Sequence, residues 1–254
     1  MPTSTHPFFD REGPLALAHQ GGGDEAVENS TAAFTNAGRL GYRYLDIDLQ
    51  VTSDGVLVAH HDERLDRLTD LKGRIDEMPW SEVSEARLPN SEPLARFEDL
   101  LDAHADARWN IEIKSDSALT PTVDLLRRRG LGPRVCLSSF NDLRMRRVRK
   151  AAEDLNPAYA TALLSTIWLK ITSYVPLPYR TFADVSQAPV KDRGVPVLNA
   201  RFVDRAHRVG LEVIVWTIDE PAEMHRLLDL EVDGILTDAP TQLRTVLADR
   251  GQWA

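Results

Sequence analysis

The sequence has a single cysteine, Cys136, among its 254 residues, and it has no uninterrupted apolar run of about 18 residues. A single cysteine excludes a disulfide within the chain, and its apolar surroundings predict a buried, unreactive thiol. Without a long apolar run, no membrane-crossing helix is predicted. Residues 1–13 lack the apolar core of a signal peptide, so we expect a cytoplasmic protein.

Positive charge is also in short supply. The chain has 30 Lys and Arg against 39 Asp and Glu, a formal net charge of −9, and a pI of about 5.3. This balance argues against nucleic acid or an anionic membrane as a general electrostatic partner. An anionic small molecule is still compatible with it, because a local metal ion outweighs distant surface charge.

Short apolar strands and amphipathic helices alternate along most of the chain, with no change of composition that would mark a linker. The predicted strands are residues 15–19, 44–50, 56–61, 107–114, 135–139, 159–164, 183–189, 213–217 and 234–237. The predicted helices are residues 29–40, 94–104, 120–129, 141–153, 200–209, 221–230 and 240–249. About eight strand–helix units predict one α/β domain, residues 1–254, folded as a closed (β/α)8 TIM barrel.

Two regions fall outside this alternation. Residues 52–93 are too long for a simple connection and contain their own turns, so we expect a small insertion after the second strand. Residues 167–182 carry Trp168, Tyr174 and Tyr179 with little helical or strand periodicity. They indicate either an irregular loop packed on the barrel or an apolar lip for a lipid tail or peripheral membrane contact.

Two predicted strands carry charged residues at alternating positions. Asp46 and Asp48 alternate with apolar residues in one strand, and Glu112 and Lys114 do so in another. Side chains two residues apart share a strand face, so like charges repel unless water, a proton or a cation separates them. The spacing therefore indicates either a solvated sheet face or a metal site.

Histidines lie near two strand ends. His19 closes the first predicted strand and precedes the glycine-rich turn 20–23, where backbone amides can approach a ligand closely. His60 and His61 are adjacent, and strand alternation allows only one of them to face the interior without deciding which.

Three further residues have both a structural and a functional interpretation. Glu28 and Asn29 lie at the start of a predicted helix, where they either cap the helix and anchor its loop or contact a substrate. Trp216 ends an apolar strand, where it either belongs to the core or forms a wall for a small organic group.

Shorter motifs join these residues into a longer pattern. In order they are His19-Gln-Gly, Glu28-Asn29, Ala33-Phe34, Gly41, Asp46-x-Asp48, Thr52-x-Asp-Gly55, His61-Asp62, Arg67-x-Thr69, Gly73, Glu112-x-Lys114, Val215-Trp-Thr-Ile218, Gly234-Ile-Leu-Thr-Asp238 and Pro240. This pattern resembles the signature of the glycerophosphodiester phosphodiesterase family. The resemblance implies a TIM barrel that uses a metal ion to cleave phosphodiesters to glycerol 3-phosphate and an alcohol.

The resemblance also implies residue roles. Asp46, Asp48 and Glu112 would bind one divalent cation, Mg²⁺ or Ca²⁺ with Mn²⁺ as an alternative, since hard cations prefer oxygen ligands. His19 and His61 would be the catalytic acid and base, which selects His61 over His60. The implied substrate-binding residues are Gln20, Glu28, Asn29, Lys114 and Trp216.

Two positions depart from the family pattern. Gln20 stands where the family usually has Arg, which replaces a cationic phosphate contact by a neutral amide. Asp46 stands where the family usually has Glu, which is one methylene longer. Two alternative functions follow: a lysophospholipase D whose acyl chain lies against residues 167–182, and a phosphodiester-binding protein without turnover.

Overall fold

Parallel strands form the centre of the molecule in the computed structural model, which describes residues 4–253. The strands are β1 (Leu15–Ala18), β2 (Tyr44–Val51), β3 (Leu57–Ala59), β4 (Arg108–Ile113), β5 (Val135–Ser138), β6 (Ala158–Tyr159), β7 (Val185–Pro189), β8 (Lys191–Asp192), β9 (Val195–Pro196), β10 (Glu212–Trp216) and β11 (Gly234–Thr237). The main sheet has the parallel order β6-β5-β4-β2-β1-β11-β10-β7. A parallel bridge between Ala160 and Val185 joins its two edges. The predicted closed (β/α)8 barrel is confirmed.

Helices cover the outside of this barrel. They are α1 (Thr31–Arg39), α2 (Trp80–Val83), α3 (Phe97–Ala103), α4 (Asp116–Arg129), α5 (Asp142–Ala152), α6 (Leu163–Thr172), α7 (Ala200–Arg208), α8 (Pro221–Asp229) and α9 (Pro240–Asp249). Polar side chains begin several of them, because a side-chain oxygen can accept an otherwise unpaired N–H group of the first turn. Ser115, for example, accepts from the Ala118 N–H and starts α4 well before Pro121, where the sequence prediction places its first turn.

Alternation along β2 divides its side chains between two environments. Ile47 and Leu49 point outward and pack beneath the helices, whereas Tyr44, Asp46 and Asp48 point into the barrel. At the N-terminal end the barrel is filled by an apolar cluster that includes Phe8, Phe9, Leu17, Cys136 and Ile214. The charged positions of β2 therefore lie above this plug, toward the C-terminal ends of the strands.

The predicted insertion interval, residues 52–93, leaves the barrel and returns to it. Its strand β3 pairs antiparallel with β2, with Ala59 opposite Leu49. A separate small core holds the region together, made of Val58, Leu65, Ile75, Val83, Ala86 and Leu94. This region carries His61 to the edge of the barrel mouth.

Two sequence predictions around residue 160 are wrong. The strand predicted for residues 159–164 ends at Tyr159, and residues 163–172 form α6 although residues 167–182 are predicted to be irregular. The cap residue of α6, Ala162, makes no side-chain cap bond, so the usual start signal is missing. Both faces of the helix are rich in apolar residues, so the polar–apolar alternation that marks a surface helix is also missing.

Within residues 4–253, none of the helices combines the length and the apolar character needed to cross a membrane.

Candidate active site

A cleft of about 750 Å³ opens where the barrel strands end. It is the place where side chains from different strands of a parallel barrel converge. Seven of the ten predicted site residues line it: His19, Asp46, Asp48, His61, Glu112, Lys114 and Trp216. The other three, Gln20, Glu28 and Asn29, are not among the lining residues.

The pairing of β2 with β4 brings the acids together. In the parallel register Asp48 lies opposite Glu112, and Asp46 lies opposite Asn110. Asn110 donates its side-chain amide to Asp46 at 2.5 Å. Asp46 and Asp48 are only 5% and 2% exposed, so their charges have little water to screen them.

Lys114 places an ammonium group among these carboxylates. Its Nζ lies 3.3 Å from an Asp48 oxygen and 3.1 Å from a Glu112 oxygen. Burial raises the pKa of Asp48, but the charges of Lys114 and His61 and a bond from Asn29 outweigh it, so the net pKa is lowered. Burial lowers the pKa of Lys114, yet the two carboxylates raise it overall. Asp48 and Lys114 are therefore both charged at neutral pH.

Asp46 and Glu112 are less well compensated. Burial, with the charges of Asp48 and Glu112, raises the pKa of Asp46 to about 7 although His19 and Asn110 oppose this. Burial also raises the pKa of Glu112, and Asp48 adds to the effect against the opposing charge of Lys114. Three carboxylates share the ammonium of Lys114 and the charge of His19, so one negative charge is left without a cation when all three are ionised, and the pocket favours a further positive charge.

His19 is oriented by a carboxylate from the last strand of the barrel. Its Nδ1 lies 2.8 Å from an oxygen of Asp238, just after β11. Burial lowers the pKa of His19, but the Asp238 bond and the charges of Asp46 and Asp48 outweigh it and raise the pKa to about 9. The ring carries a proton at neutral pH, and Nε2 is the nitrogen left for a ligand.

His61 has an equivalent partner from the insertion. Its Nδ1 lies 2.6 Å from Asp62, whose other oxygen accepts from Arg67 Nε at 2.6 Å. Arg67 in turn donates to both oxygens of Glu28, at 3.0 and 2.5 Å. Glu28 thus anchors the histidine's support rather than lining the cleft.

The adjacent histidine, His60, has a different environment. It is fully buried, and its Nδ1 is within hydrogen-bonding distance of the backbone of Asp62. Only His61 of the two lines the cleft. Strand alternation alone does not decide which of the two histidines faces the site. The fold of the insertion places His61 there.

Gln20 and Asn29 both contact Asp48, and neither of them lines the cleft. The Gln20 side-chain amide donates to Asp48 at 2.5 Å, and the Asn29 amide donates to the same oxygen at 3.1 Å. Gln20 is 6% exposed and has a φ of 51°, so the left-handed turn after His19 directs its side chain inward. These residues hold a carboxylate, which differs from the substrate contacts that the sequence predicts for them.

The donor chemistry of the pocket fits a hard divalent cation. Among residues 4–253 no three His, Cys, Asp or Glu side chains are grouped as a ready-made metal site. Lys114 and Asn110 instead occupy the oxygens of Asp46, Asp48 and Glu112. These three carboxylates, two of them with raised pKa, nevertheless provide the oxygen ligands that Mg²⁺ and Ca²⁺ prefer.

The other half of the cleft is apolar. The Trp216 ring meets the Phe140 ring edge to face, with centroids 5.5 Å apart. The apolar wall continues along α6 and the β8–β9 hairpin, through Leu163, Ile167, Ile171 and Val195. The cleft therefore has one end suited to a charged group and another suited to a hydrocarbon.

The residues that the sequence did not single out act through contacts that only the fold shows, for example between Asp238 and His19, 219 positions apart, and between Arg67 and Glu28, 39 positions apart. Asp62, Arg67 and Asp238 belong to the quoted motifs, but only the folded chain shows that they position the two histidines. The carboxylate following His61 is the one signal that the sequence offers for this arrangement.

A closed parallel barrel with buried carboxylates and two histidines at the strand ends defines a TIM-barrel protein with a polar pocket. The chain also matches the model of the glycerophosphoryl diester phosphodiesterase family over residues 19–242. The protein belongs to this family of phosphoric diester hydrolases.

Individual proteins resemble the chain over nearly its whole length. The “Probable glycerophosphodiester phosphodiesterase 2” of Mycobacterium tuberculosis is 38% identical over 257 residues, which cover 98% of this chain and 96% of that protein. A human lysophospholipase D is 23% identical over 267 residues, covering 91% and 85% of the two chains.

A solved structure shares the fold. An Oleispira antarctica phosphodiesterase, solved in complex with the product sn-glycerol-3-phosphate, superposes with a TM-score of 0.78. It is 19% identical and covers 93% of this chain, and 97% of its own length is matched.

Proposed function

We propose that the protein hydrolyses glycerophosphodiesters to glycerol 3-phosphate and an alcohol, using one divalent metal ion at the acidic end of the cleft. One observation carries the proposal: two histidines, each held through Nδ1 by a carboxylate, line the same cleft as three buried acids. Acid–base cleavage of a phosphodiester requires groups of this kind, which can donate and accept a proton and can bind a cation. The name of the Mycobacterium tuberculosis relative supports the same substrate class.

Asp46, Asp48 and Glu112 are the proposed metal ligands. When bound, Mg²⁺, Ca²⁺ or Mn²⁺ would neutralise the excess negative charge of the pocket and polarise a phosphoryl oxygen. Gln20 and Asn29 donate hydrogen bonds to Asp48, so they would hold this metal ligand in position without contacting the substrate. The shorter Asp46 is held by the Asn110 amide.

The two histidines divide the proton transfers. The Asp238 carboxylate at Nδ1 favours the protonated ring of His19, so His19 is the proposed acid that protonates the leaving alkoxide as the bond from phosphorus to oxygen breaks. His61 is the proposed base that removes the proton from the attacking oxygen, which is either water, giving glycerol 3-phosphate directly, or the neighbouring glycerol hydroxyl group, giving a cyclic phosphodiester that water then opens. Lys114 would stabilise charge on a nonbridging phosphoryl oxygen. Trp216 and Phe140 form the wall against which the organic part of the substrate lies.

Product analysis on chelated protein tests the proposal. Glycerophosphocholine and glycerophosphoethanolamine would be offered with each of the three cations, and glycerol 3-phosphate would be measured. We expect turnover only with added metal. Binding of the diester without hydrolysis under all three cations would instead support the non-catalytic alternative.

Single carboxylate variants test the metal site. Asp46→Asn and Glu112→Gln should each lower turnover by at least about 100-fold, because each loses a metal ligand and its charge. Glu63→Gln is the matched control, since Glu63 is 56% exposed and pairs with Arg74 close to His61. Full activity in both site variants would refute the ligand assignment.

A second candidate activity is that of a lysophospholipase D, and the apolar end of the cleft favours it. Leu163, Ile167 and Ile171 extend the cleft wall along α6 for a distance that a glycerol head group does not need. The human relative carries this activity in its name. Lysophosphatidylcholine should then be preferred over glycerophosphocholine, and Ile167→Ser together with Ile171→Ser should remove the preference by raising KM for the acylated substrate alone.

A further inference from the structure

Exposed apolar side chains are concentrated on one part of the molecule. In the described chain, all twelve large apolar residues that are classed as exposed lie between residues 140 and 195. They are Phe140, Leu143, Leu163, Leu164, Ile167, Trp168, Ile171, Tyr174, Val175, Leu177, Phe182 and Val195. Single exposed apolar residues are ordinary, but a contiguous group marks an interaction surface.

Helix α6 is the centre of this surface. Its inward residues are Thr166, Leu169 and Thr172, whereas Leu164 and Trp168 face outward and are 64% and 39% exposed. A helix that only covered a barrel would place its apolar residues inward and its polar residues outward. The outward face of α6 is therefore built to contact something other than the barrel.

Several of these exposed residues lie at the entrance of the cleft. Leu163, Ile167 and Ile171 are exposed and also line the cleft, and Val195 reaches it from the β8–β9 hairpin. We call residues 163–177 together with Phe140, Leu143 and Val195 the apolar rim. Whatever covers the apolar rim also faces the active site.

Cations flank the apolar rim although the protein is acidic. Lys170 and Arg201 lie over the Tyr174 ring, with their charged groups 5.1 and 5.4 Å from its centroid. Arg193 lines the cleft entrance, next to Asp192. Residues 140–208 hold twelve Lys and Arg against six Asp and Glu, whereas the whole chain has a net charge of −9. Positive charge is thus gathered on the part of the chain that carries the exposed apolar residues.

We propose that the apolar rim docks on the surface of a bilayer that contains anionic phospholipid. Leucine and isoleucine side chains enter the boundary between head groups and acyl chains, Trp168 and Tyr174 lie at head-group level, and the flanking cations attract lipid phosphates. No helix of residues 4–253 can span a bilayer, so this contact is peripheral. The cleft then opens toward the leaflet rather than toward bulk water.

A second copy of the chain fits the apolar rim less well. In a two-fold dimer the same patch meets itself, so Lys170, Arg193 and Arg201 of both copies would lie in one interface. Like charges across an interface oppose association, and the contact would also cover both cleft entrances. Neither objection applies to an anionic lipid surface.

Sedimentation with sucrose-loaded vesicles tests the proposal on the full chain. Vesicles of phosphatidylcholine alone would be compared with vesicles of phosphatidylcholine mixed with phosphatidylglycerol. We expect binding to the mixed vesicles that weakens as salt is raised. The double variant Leu164→Ser/Trp168→Ser should lower the partition coefficient at least about tenfold, since two apolar side chains no longer leave water. Arg201→Gln should lower it about fivefold on mixed vesicles only.

Phe182→Ser is the matched control. Phe182 is as exposed as Leu164, at 64%, but it stacks on Arg149 and lies beside Val209 rather than at the cleft entrance. Its partition coefficient should match that of the unaltered protein, and thermal melting would show that all variants are folded.

Three results would overturn the proposal: no binding to mixed vesicles, equal binding to both vesicle types, or an equal loss in Phe182→Ser. A fourth would be a dimer in analytical ultracentrifugation that the double variant dissociates, because the apolar rim would then be an interface between copies.

Discussion

At the scale of single residues, the site depends on pairs in which one side chain orients another. Asp238 and Asp62 hold the Nδ1 atoms of His19 and His61, and neither acid lines the cleft itself. The ring nitrogen that remains, Nε2, can then face a ligand in one protonation pattern. Loss of either acid should affect proton transfer more than substrate binding.

Asp238→Asn tests this at His19. We expect kcat/KM to fall by up to about 10²- to 10⁴-fold, the range supplied by a positioned acid. The carboxylate raises the pKa of His19, so the limb of the pH–rate profile that belongs to this group should move to lower pH. The pH dependence of kcat/KM measures both effects.

The control for that variant is Asp24→Asn, which removes a carboxylate from the same turn without a contact to His19. An unchanged profile in Asp238→Asn, or an equal change in Asp24→Asn, would show that Asp238 does not position the acid.

Gln20→Ala separates two roles for the residue after His19. The side chain holds Asp48, so its loss should raise the metal concentration for half-maximal activity by about 10- to 100-fold. At saturating metal, KM for the diester should change little. A metal titration of activity measures the first quantity, and Gln252→Ala, whose side chain contacts Arg250, is the control. A raised KM with unchanged metal dependence would restore the phosphate contact that the sequence predicts.

Some features of the site could be predicted from the sequence, and others could not. Alternation placed Asp46 with Asp48, and Glu112 with Lys114, on one face of each strand, because that depends only on a period of two. It did not predict that His19 meets Asp238, since 219 positions separate the two residues. Such a contact depends on barrel closure, which no local pattern contains.

At the scale of elements, the strand–helix alternation was predicted well where propensity and burial agree. The helix predicted for residues 240–249 is the observed α9, and β11 has its predicted bounds. α6 was missed because apolar residues lie on both its inward and its outward face, so the polar–apolar pattern that identifies surface helices is absent.

The insertion is an element with its own core, and Ile75→Ala tests how far it unfolds independently. Ile75 is 1% exposed within that core, so its truncation should cost about 2–5 kcal/mol. Hydrogen exchange should accelerate in residues 57–94 while the barrel strands stay protected. Turnover should fall with it, since His61 and its support belong to this region.

Leu126→Ala is the matched truncation in the barrel shell, because Leu126 is fully buried on α4. Its faster exchange should not be confined to the insertion. Acceleration throughout the barrel in Ile75→Ala would show instead that the insertion and the barrel unfold together.

At the scale of the whole molecule, the two ends of the barrel differ: one end carries the cleft, and the other is closed by packed and ion-paired side chains. The C-terminal ends of the strands carry the cleft and its surplus of negative charge. The opposite end is closed by apolar residues and by ion pairs such as Arg11 with Glu212 and His207 with Asp233, both at 2.7 Å. Stability can therefore be probed at that end without altering the site.

His207→Gln tests the pH dependence of global stability. The hydrogen bond with Asp233 raises the pKa of His207, with burial opposing it. A raised folded-state pKa stabilises the protein fully below the unfolded value of about 6.5 and loses this effect as pH rises through the folded value. Urea unfolding should therefore show the native protein ahead of the variant at pH 5.5 by up to about 1 kcal/mol, with a smaller difference in alkaline buffer. A difference that grows with pH would contradict the assignment.

Cys136 lies in the plug of the barrel, fully buried, with its Sγ 3.9 Å from the side-chain amide of Gln187. Burial also raises the pKa of its thiol well above the usual value, so the native group is neither accessible nor nucleophilic. Because the chain has no other cysteine, a thiol-specific dye can react only after the barrel itself has opened. The rate at which the dye modifies Cys136 in the unmodified protein therefore reports how fast the barrel opens. Each molecule reacts once, and the loops and the insertion contribute no signal.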